Sequence, residues 1–313
     1  MRALLCPASL KGVLSARDAA AALARGVRAE GMEAVELPIA DGGEGTADSF
    51  HAALGGVWHE AVVSDPLGRP HPARWLMLSD RRAVVEAAAA IGLPLLATEE
   101  RDPLVASSRG LGELVLAALR ESPGELLVGL GGSATADGGA GLREVLRELP
   151  VSTTVLCDVR TTLEGAARLF GPQKGATPET VPVLARRLAG MDELAPYAGL
   201  PGAGAAGGLG AAFAALGAEL VEGAPRVLDL VGFDEHLRQA DLVVTGEGQV
   251  DRTTVEGKAP GVVAARCDAA GVRCVVFGGR VVEPVPDVET VSLSGDPGHA
   301  ETDLEELGRR LVA

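Results

Sequence analysis

Three times along this 313-residue chain an apolar run ends in a glycine-rich acidic turn and is followed by helical patterning. Val35 to Ala40 runs into Asp41-Gly42-Gly43-Glu44-Gly45. Leu126 to Leu130 runs into the turn from Gly131 to Gly139, and Leu242 to Thr245 into Gly246-Glu247-Gly248-Gln249-Val250-Asp251. The first apolar run, Ala3 to Cys6, follows the same logic. It leads through Pro7 to Leu14 into a helix opened by Ser15 with Asp18 three residues on, a capping pattern. That helix carries Ala19, Leu23, Gly26 and Val27 on one face and stops at Gly31. Strands alternating with helices bury both faces as a parallel sheet. In such sheets the functional loops gather at the carboxyl ends of the strands.

Residues 57 to 86 read differently. Short runs (Val57 to Val63, Ala73 to Leu78, Ala83 to Glu86) are joined by turns such as Ser64-Asp65-Pro66-Leu67-Gly68, which predicts antiparallel pairing. A second, mixed α/β domain therefore begins near residue 60. Hydrophobic residues make up 47% of the chain and aromatics only 3%, so the core must be built from Ala, Leu and Val. The segment from Gly202 to Ala215 reads as a close-packed buried helix.

The net charge of −15 argues against nucleic acid or an anionic membrane as partner. It leaves room for a local cationic pocket. No apolar run approaches the roughly 18 residues of a membrane span, and Met1 leads directly into a strand with no signal-peptide pattern. A cytoplasmic protein is expected. Cys6, Cys157, Cys267 and Cys274 form no C-x-x-C pair and read as free, mostly buried thiols.

Of 28 basic residues only Lys11, Lys174 and Lys258 are lysine, and each adjoins a glycine. Lysine is a compact point charge and arginine a wide planar fork. A chain that uses arginine almost everywhere keeps lysine where the fork will not fit, and glycine lets the backbone approach a ligand. These positions point to phosphate or carboxylate. The carboxylates Asp41, Glu44, Asp137, Asp158, Glu247 and Asp251 lie at or just beyond strand ends. Carboxylates can hold Mg²⁺, while helix N-termini and lysines hold phosphate. That is the equipment of phosphoryl transfer.

Other motifs drop out. Gly202 to Gly207 spells G-x-G-x-x-G but follows no strand, and Gly257-Lys258 lacks the first glycine and the Ser/Thr of a P-loop. The five histidines form no metal-ligand pair. Ser133 lacks the nucleophile-elbow frame, since Thr135 replaces the second glycine.

The remaining motifs resemble the bacterial glycerate kinase family, the type unrelated to P-loop kinases. The similar stretches are CPASLKGVLSA (6–16), LPIADGGEGT (37–46), SDPLGRP (64–70), AAAAIGLPLL (87–96) and SSRGLGEL (107–114). They continue with GLGGSATADGGAG (129–141), CDV (157–159), FGPQKGAT (170–177), PGAGAAGGLGAAF (201–213) and ADLVVTGEGQVDRTTVEGKAP (240–260). The resemblance implies ATP- and Mg²⁺-dependent phosphorylation of D-glycerate, with 2-phosphoglycerate favoured as product. It also implies a discontinuous Rossmann- or flavodoxin-like domain (1–60 and 232–313), a second α/β domain inserted into it (61–231) and a site in the cleft. A homodimer is the assembly considered. Against the family pattern this chain has Ala8 for an acidic residue, Thr161-Thr162 for Asn-Pro, and an abbreviated segment from Leu142 to Thr153.

Within this frame Lys11, Asp41, Asp251 and Lys258 are the expected catalytic residues. Ser9, Gly131, Gly132, Ser133, Thr135, Asp158 and Lys174 are expected to bind substrate or phosphate. Glu44, Glu247 and Asp251 are the expected metal ligands. Two other readings are a non-catalytic hydroxy-acid sensor on the same fold and an NAD-dependent dehydrogenase using Gly202 to Gly207. Titration with MgATP and with NAD separates them.

Overall fold

The structure, a computed structural model, describes residues 1–255 and 257–313; Glu256, within the stretch 240–260, lies outside the described residues. The strands are β1 (Arg2–Pro7), β2 (Glu33–Glu36), β3 (Val57–Ser64), β4 (Pro70–Met77), β5 (Arg82–Glu86) and β6 (Glu125–Gly129). They continue with β7 (Ser152–Cys157), β8 (Glu219–Glu222), β9 (Leu242–Val250), β10 (Arg273–Val281) and β11 (Glu289–Ser292). The chain forms two compact units, each with its own sheet.

The first unit comprises Met1–Asp41, Asp48–Leu54 and Ala224–Ala313. Its five strands run β11-β10-β9-β1-β2, all parallel. Counted within this unit alone, the order is 2-1-3-4-5, the flavodoxin-like doubly wound arrangement. The strand order reverses between β1 and β9, and ligands in such sheets bind outside the carboxyl ends at that point. Parallel strands covered on both faces need nearly continuous apolar runs, and Ala3, Leu5, Val244, Val275 and Phe277 supply the core. Helix Ala16–Ala29 is capped as its sequence predicts: the Ser15 side chain accepts from the Asp18 N–H. It packs on helix Ala300–Val312 through glycines. A Cβ on Gly26 would lie 2.0 Å from the Glu305 carbonyl oxygen, and one on Gly308 2.4 Å from that of Leu23. With few aromatics to fill space, backbone-to-backbone approach takes their place.

The second unit comprises Gly42–Ala47 and Gly55–Gly223. Its sheet runs β3-β4-β5-β6-β7-β8. The β3-β4 and β4-β5 pairs are antiparallel, as the turns predict, and the rest parallel. Within the SDPLGRP stretch Asp65 is nearly buried and folds the turn: it accepts from Leu67 N at 2.8 Å and Arg69 N at 2.9 Å.

Three sequence expectations need correction. β2 covers only Glu33–Glu36, but its ladder continues through Leu37 N to Leu5 O (2.8 Å) and Ile39 N to Pro7 O (3.0 Å), carrying the chain to Asp41. The stretch Gly246 to Val250 is strand rather than loop, because β9 stays paired with β10 as far as Val281. Gly246 permits this: a Cβ there would stand 2.2 Å from the Phe277 carbonyl oxygen. Finally, the helix in the Gly202–Ala215 stretch spans Ala205–Ala215 and is broken by left-handed backbone at Ala206, Gly207 and Gly208. The break seats Gly207 against the backbone of Thr135 and Ala136, and the Gly138 N–H bonds to the Gly207 carbonyl at 3.0 Å. The G-x-G-x-x-G letters therefore serve close packing.

Candidate active site

In the first unit the chain leaves β1 at the switch point. Leu10 and Leu14 exchange two backbone hydrogen bonds of 2.9 Å and close a tight loop. Gly12 takes φ of 74° at its tip, a conformation that favours glycine. This presents Lys11 to solvent, with Ser9 half-buried before it. The Lys11 ammonium makes no hydrogen bond or ion pair among the described residues. Beside it, a Cβ on Gly248 would lie 3.6 Å from Leu10 Cα. The Ala8 N–H bonds to the Gly246 carbonyl at 2.8 Å, so the residue that departs from the family pattern adjoins the end of β1.

The end of β9 carries a polar cluster. Glu247 accepts from Thr254 Oγ1 at 2.8 Å through one oxygen and from Lys258 Nζ at 3.1 Å through the other. Burial raises its pKa, the Lys258 charge and these bonds pull it down, and the Asp41 carboxylate raises it again. Asp41 and Glu247 are thus within electrostatic reach of each other. Asp251 accepts from Thr253 Oγ1, from Thr253 N at 2.9 Å and from Gln249 Nε2 at 2.7 Å. Those bonds, the Thr253 hydroxyl first, hold its pKa at about 2. Lys258 stands at the N-cap of helix Ala259–Ala270. Gly261 in its first turn lets the helix settle on the Asp251 turn, where a Cβ would meet the Thr254 carbonyl at 2.0 Å. The threonines went unnoticed in the sequence, although Asp-x-Thr-Thr after a strand is a turn signature in which hydroxyls satisfy backbone and carboxylate groups.

In the second unit the Gly42-to-Gly45 turn, the Gly131–Thr135 turn and Asp158 are brought together. Gly131 N bonds to Gly42 O at 3.2 Å. A Cβ on Gly131 would stand 2.5 Å from Gly43 Cα and 3.0 Å from an Asp158 carboxylate oxygen. One on Gly132 would lie 3.8 Å from Glu44 Cβ. Gly132 takes φ of 78° and is exposed, as are Glu44 and Asp158.

Lys174 is placed otherwise. It is 2% exposed, and its ammonium donates to Ser133 Oγ at 3.1 Å and to the Thr135 carbonyl at 2.6 Å. The lysine lies beneath the turn and holds it. Burial lowers its pKa to about 8 against the opposing charges of Asp158 and Asp137. Asp137 is also internal: it accepts from Ser108 N (2.9 Å), Ser108 Oγ (2.8 Å), Gly139 N (3.0 Å) and Gly141 N (3.1 Å). Its carboxylate knits the turn to the helices that start at Arg109 and Ala140. The Thr161 backbone carbonyl accepts from Gly204 N at 2.9 Å.

Among the described residues no three or more His, Cys, Asp or Glu side chains gather as a metal site, and no helix is long and apolar enough to cross a membrane. All four cysteines are free.

With lysine and carboxylates at the flavodoxin-like switch point of its first unit and a glycine-rich turn in its second, the chain has the fold of an α/β enzyme of the phosphotransferase class. The chain belongs to the glycerate kinase family. The profile of that family matches residues 3–149 and 145–296. The chain is 39% identical to glycerate 2-kinase of Escherichia coli (strain K12), over 83% of this chain and 80% of the relative. It is 38% identical to glycerate kinase of Bacillus subtilis (strain 168), over 90% and 85% respectively. A crystal structure of a protein of Salmonella typhimurium LT2, described as a candidate glycerate kinase 2, superposes with a TM-score of 0.85 at 33% identity, covering 100% of this chain and 97% of that one.

Proposed function

We propose that this enzyme transfers the γ-phosphoryl group of ATP to the 2-hydroxyl of D-glycerate. The hydroxyl oxygen forms a bond to phosphorus, the bond from phosphorus to the ADP oxygen breaks, and the hydroxyl proton passes to a carboxylate. Phosphoryl transfer of this kind needs positioning and charge stabilisation more than covalent chemistry. Asp41 orients the attacking hydroxyl and takes its proton. Lys258, at a helix N-terminus whose free N–H groups favour anions, meets the transferring group. Ser9 and Lys11 bind anionic oxygens at the switch point. Gly131, Gly132, Ser133 and Thr135 form the second anion contact, with Asp158 and Lys174 alongside.

Mg²⁺ fits the donor set. It is bound through one or two carboxylates together with substrate phosphates rather than in an all-protein cage. The Asp41 carboxylate raises the cost of ionising Glu247, which a divalent cation relieves. Glu247 and Asp251, both at the end of β9, are the residues proposed to hold it, and when bound it would neutralise phosphate charge.

The observation that carries this reading is the Glu247–Lys258 pair, set with Asp251 at the carboxyl end of β9 beside the strand-order reversal, in a chain of this family. The 2-hydroxyl is favoured by the relative named glycerate 2-kinase. The test is ADP release with MgATP across a panel of small hydroxy acids, with Lys258→Met as control. D-glycerate should stimulate turnover well above the acceptor-free rate. Tight glycerate binding without turnover under any divalent metal would make the protein a sensor.

A further inference from the structure

We infer that Lys174 is a positioning residue: from beneath the Gly131–Thr135 turn it fills the acceptor side of the Ser133 hydroxyl and leaves the Ser133 O–H to donate to an oxyanion of the bound ligand. The inference rests on the proposed function only for which oxyanion that is.

Hydrogen-bond arithmetic at one buried spot carries the argument. An ammonium has three donors and no acceptor. Ser133 Oγ, 3.1 Å from Lys174 Nζ, must therefore accept. The second Lys174 bond goes to the Thr135 carbonyl. Both partners are neutral, so the charge is not spent in an ion pair with them. Ser133 makes no other side-chain bond among the described residues, and its proton has no acceptor there. The Thr135 hydroxyl, fully buried, has no partner among the described residues either. Leaving such a group unsatisfied is costly, and a native fold that does so calls for an explanation, of which a functional role is one. Lys174 thus sits among unspent polar capacity, on the inner side of a turn whose outer side, Gly132, is exposed.

The turn is held from every side, so the hydroxyl direction is fixed rather than averaged. Leu93 N bonds to Gly132 O at 2.9 Å, Ala134 N to Ile91 O at 2.8 Å, and Gly131 N to Gly42 O at 3.2 Å. Gly175, next to Lys174, takes φ of 98° and lies so close to Arg101 that a Cβ would meet its carbonyl oxygen at 2.1 Å. That contact clamps the lysine backbone. The charged groups acting on the ammonium are Asp158 and Asp137. Asp137 is already saturated by four donors, so it cannot draw the lysine away from Ser133.

The chain's three lysines make a direct test practical. With ¹⁵N-lysine labelling, the Nζ signal of Lys174 is assigned by elimination using Lys11→Arg and Lys258→Arg. Ligand is then added in two arms, D-glycerate alone and inorganic phosphate alone, to wild type and to Ser133→Ala. The expected result is a shift of the Lys174 signal in wild type and little or none in Ser133→Ala. In turnover, Ser133→Ala should raise KM about tenfold for D-glycerate if that arm responds, or for ATP if the phosphate arm does, the cost of one hydrogen bond to a charged group, with kcat changed far less. A response only to D-glycerate places the substrate carboxylate on Ser133, and a response only to phosphate places a phosphoryl oxygen there. If D-glycerate does not bind wild type, the substrate assignment fails while the phosphate arm still tests Lys174. Equal shifts in wild type and Ser133→Ala, or none in either arm, would overturn the inference.

Discussion

Lys258 Nζ lies 3.1 Å from Glu247 Oε2, and the Glu247 side chain is only 13% exposed. Burial raises the pKa of Glu247 even with this cation beside it. A carboxylate whose folded pKa is raised opposes folding at neutral pH. The penalty is absent below the unfolded value and sets in as pH rises through the folded one. Glu247 is therefore ionised at the expense of stability.

Glu247→Gln should uncouple the two properties. The variant is expected to keep or raise its Tm at pH 7 by a few degrees, because the ionisation penalty disappears. Its kcat/KM for D-glycerate should fall by roughly 10–100-fold, corresponding to about 1.5–3 kcal/mol for one charge-assisted interaction. Melting and steady-state kinetics on the same preparation read both. A loss of Tm with little loss of rate would make Glu247 structural.

Asp251 behaves in the opposite sense. Its pKa of about 2 means that it remains ionised across the working pH range and loses its contribution only as pH falls from its ordinary range towards 2. The acid limb of the rate profile should therefore not belong to Asp251. Asp251→Asn should demand more Mg²⁺ and turn over roughly 10–100-fold more slowly. A Mg²⁺ titration identical to wild type would reduce Asp251 to a turn residue.

Lys174 sets an alkaline limb. Its charge is intact below about pH 8 and lost above. A neutral amine can accept the Ser133 proton, which turns the hydroxyl inward. KM for the substrate whose oxyanion Ser133 holds, D-glycerate or ATP, should rise above about pH 8. In Lys174→Met, if melting shows it folded, KM should be higher throughout and flat across that range. An unchanged pH dependence in that variant would assign the limb elsewhere.

Asp137→Asn tests architecture. An amide would present a donor to a pocket that already supplies four donors. The expected cost is about 2–4 kcal/mol, the price of unsatisfied buried groups, seen as a lower Tm or as failure to fold. A normal Tm would contradict the buried-acceptor role.

Much of this was legible in the sequence because turn chemistry and strand patterning are local. The Ser15 cap, the antiparallel start of the second unit and the apolar runs preceding each glycine-rich turn follow from spacing alone. What was not legible depends on distant partners. Gly246 reads as a loop residue until Phe277 is packed against it. Lys174 reads as a substrate-binding residue and Asp137 as one of the strand-end carboxylates, since nothing local says that Ser133, Thr135 and Ser108 will bury them. The left-handed break at Ala206–Gly208 is likewise dictated by Thr135 and Ala136, some seventy residues away in sequence.

Product identification by ³¹P and ¹H NMR tests the central claim most directly. Protein, MgATP and D-glycerate should give ADP and a new phosphomonoester whose phosphorus couples to the single proton on C2, the signature of 2-phosphoglycerate. Coupling to the two C3 protons would contradict the assigned hydroxyl. ATP left intact beside unmodified glycerate would contradict the account of this chain as a phosphotransferase.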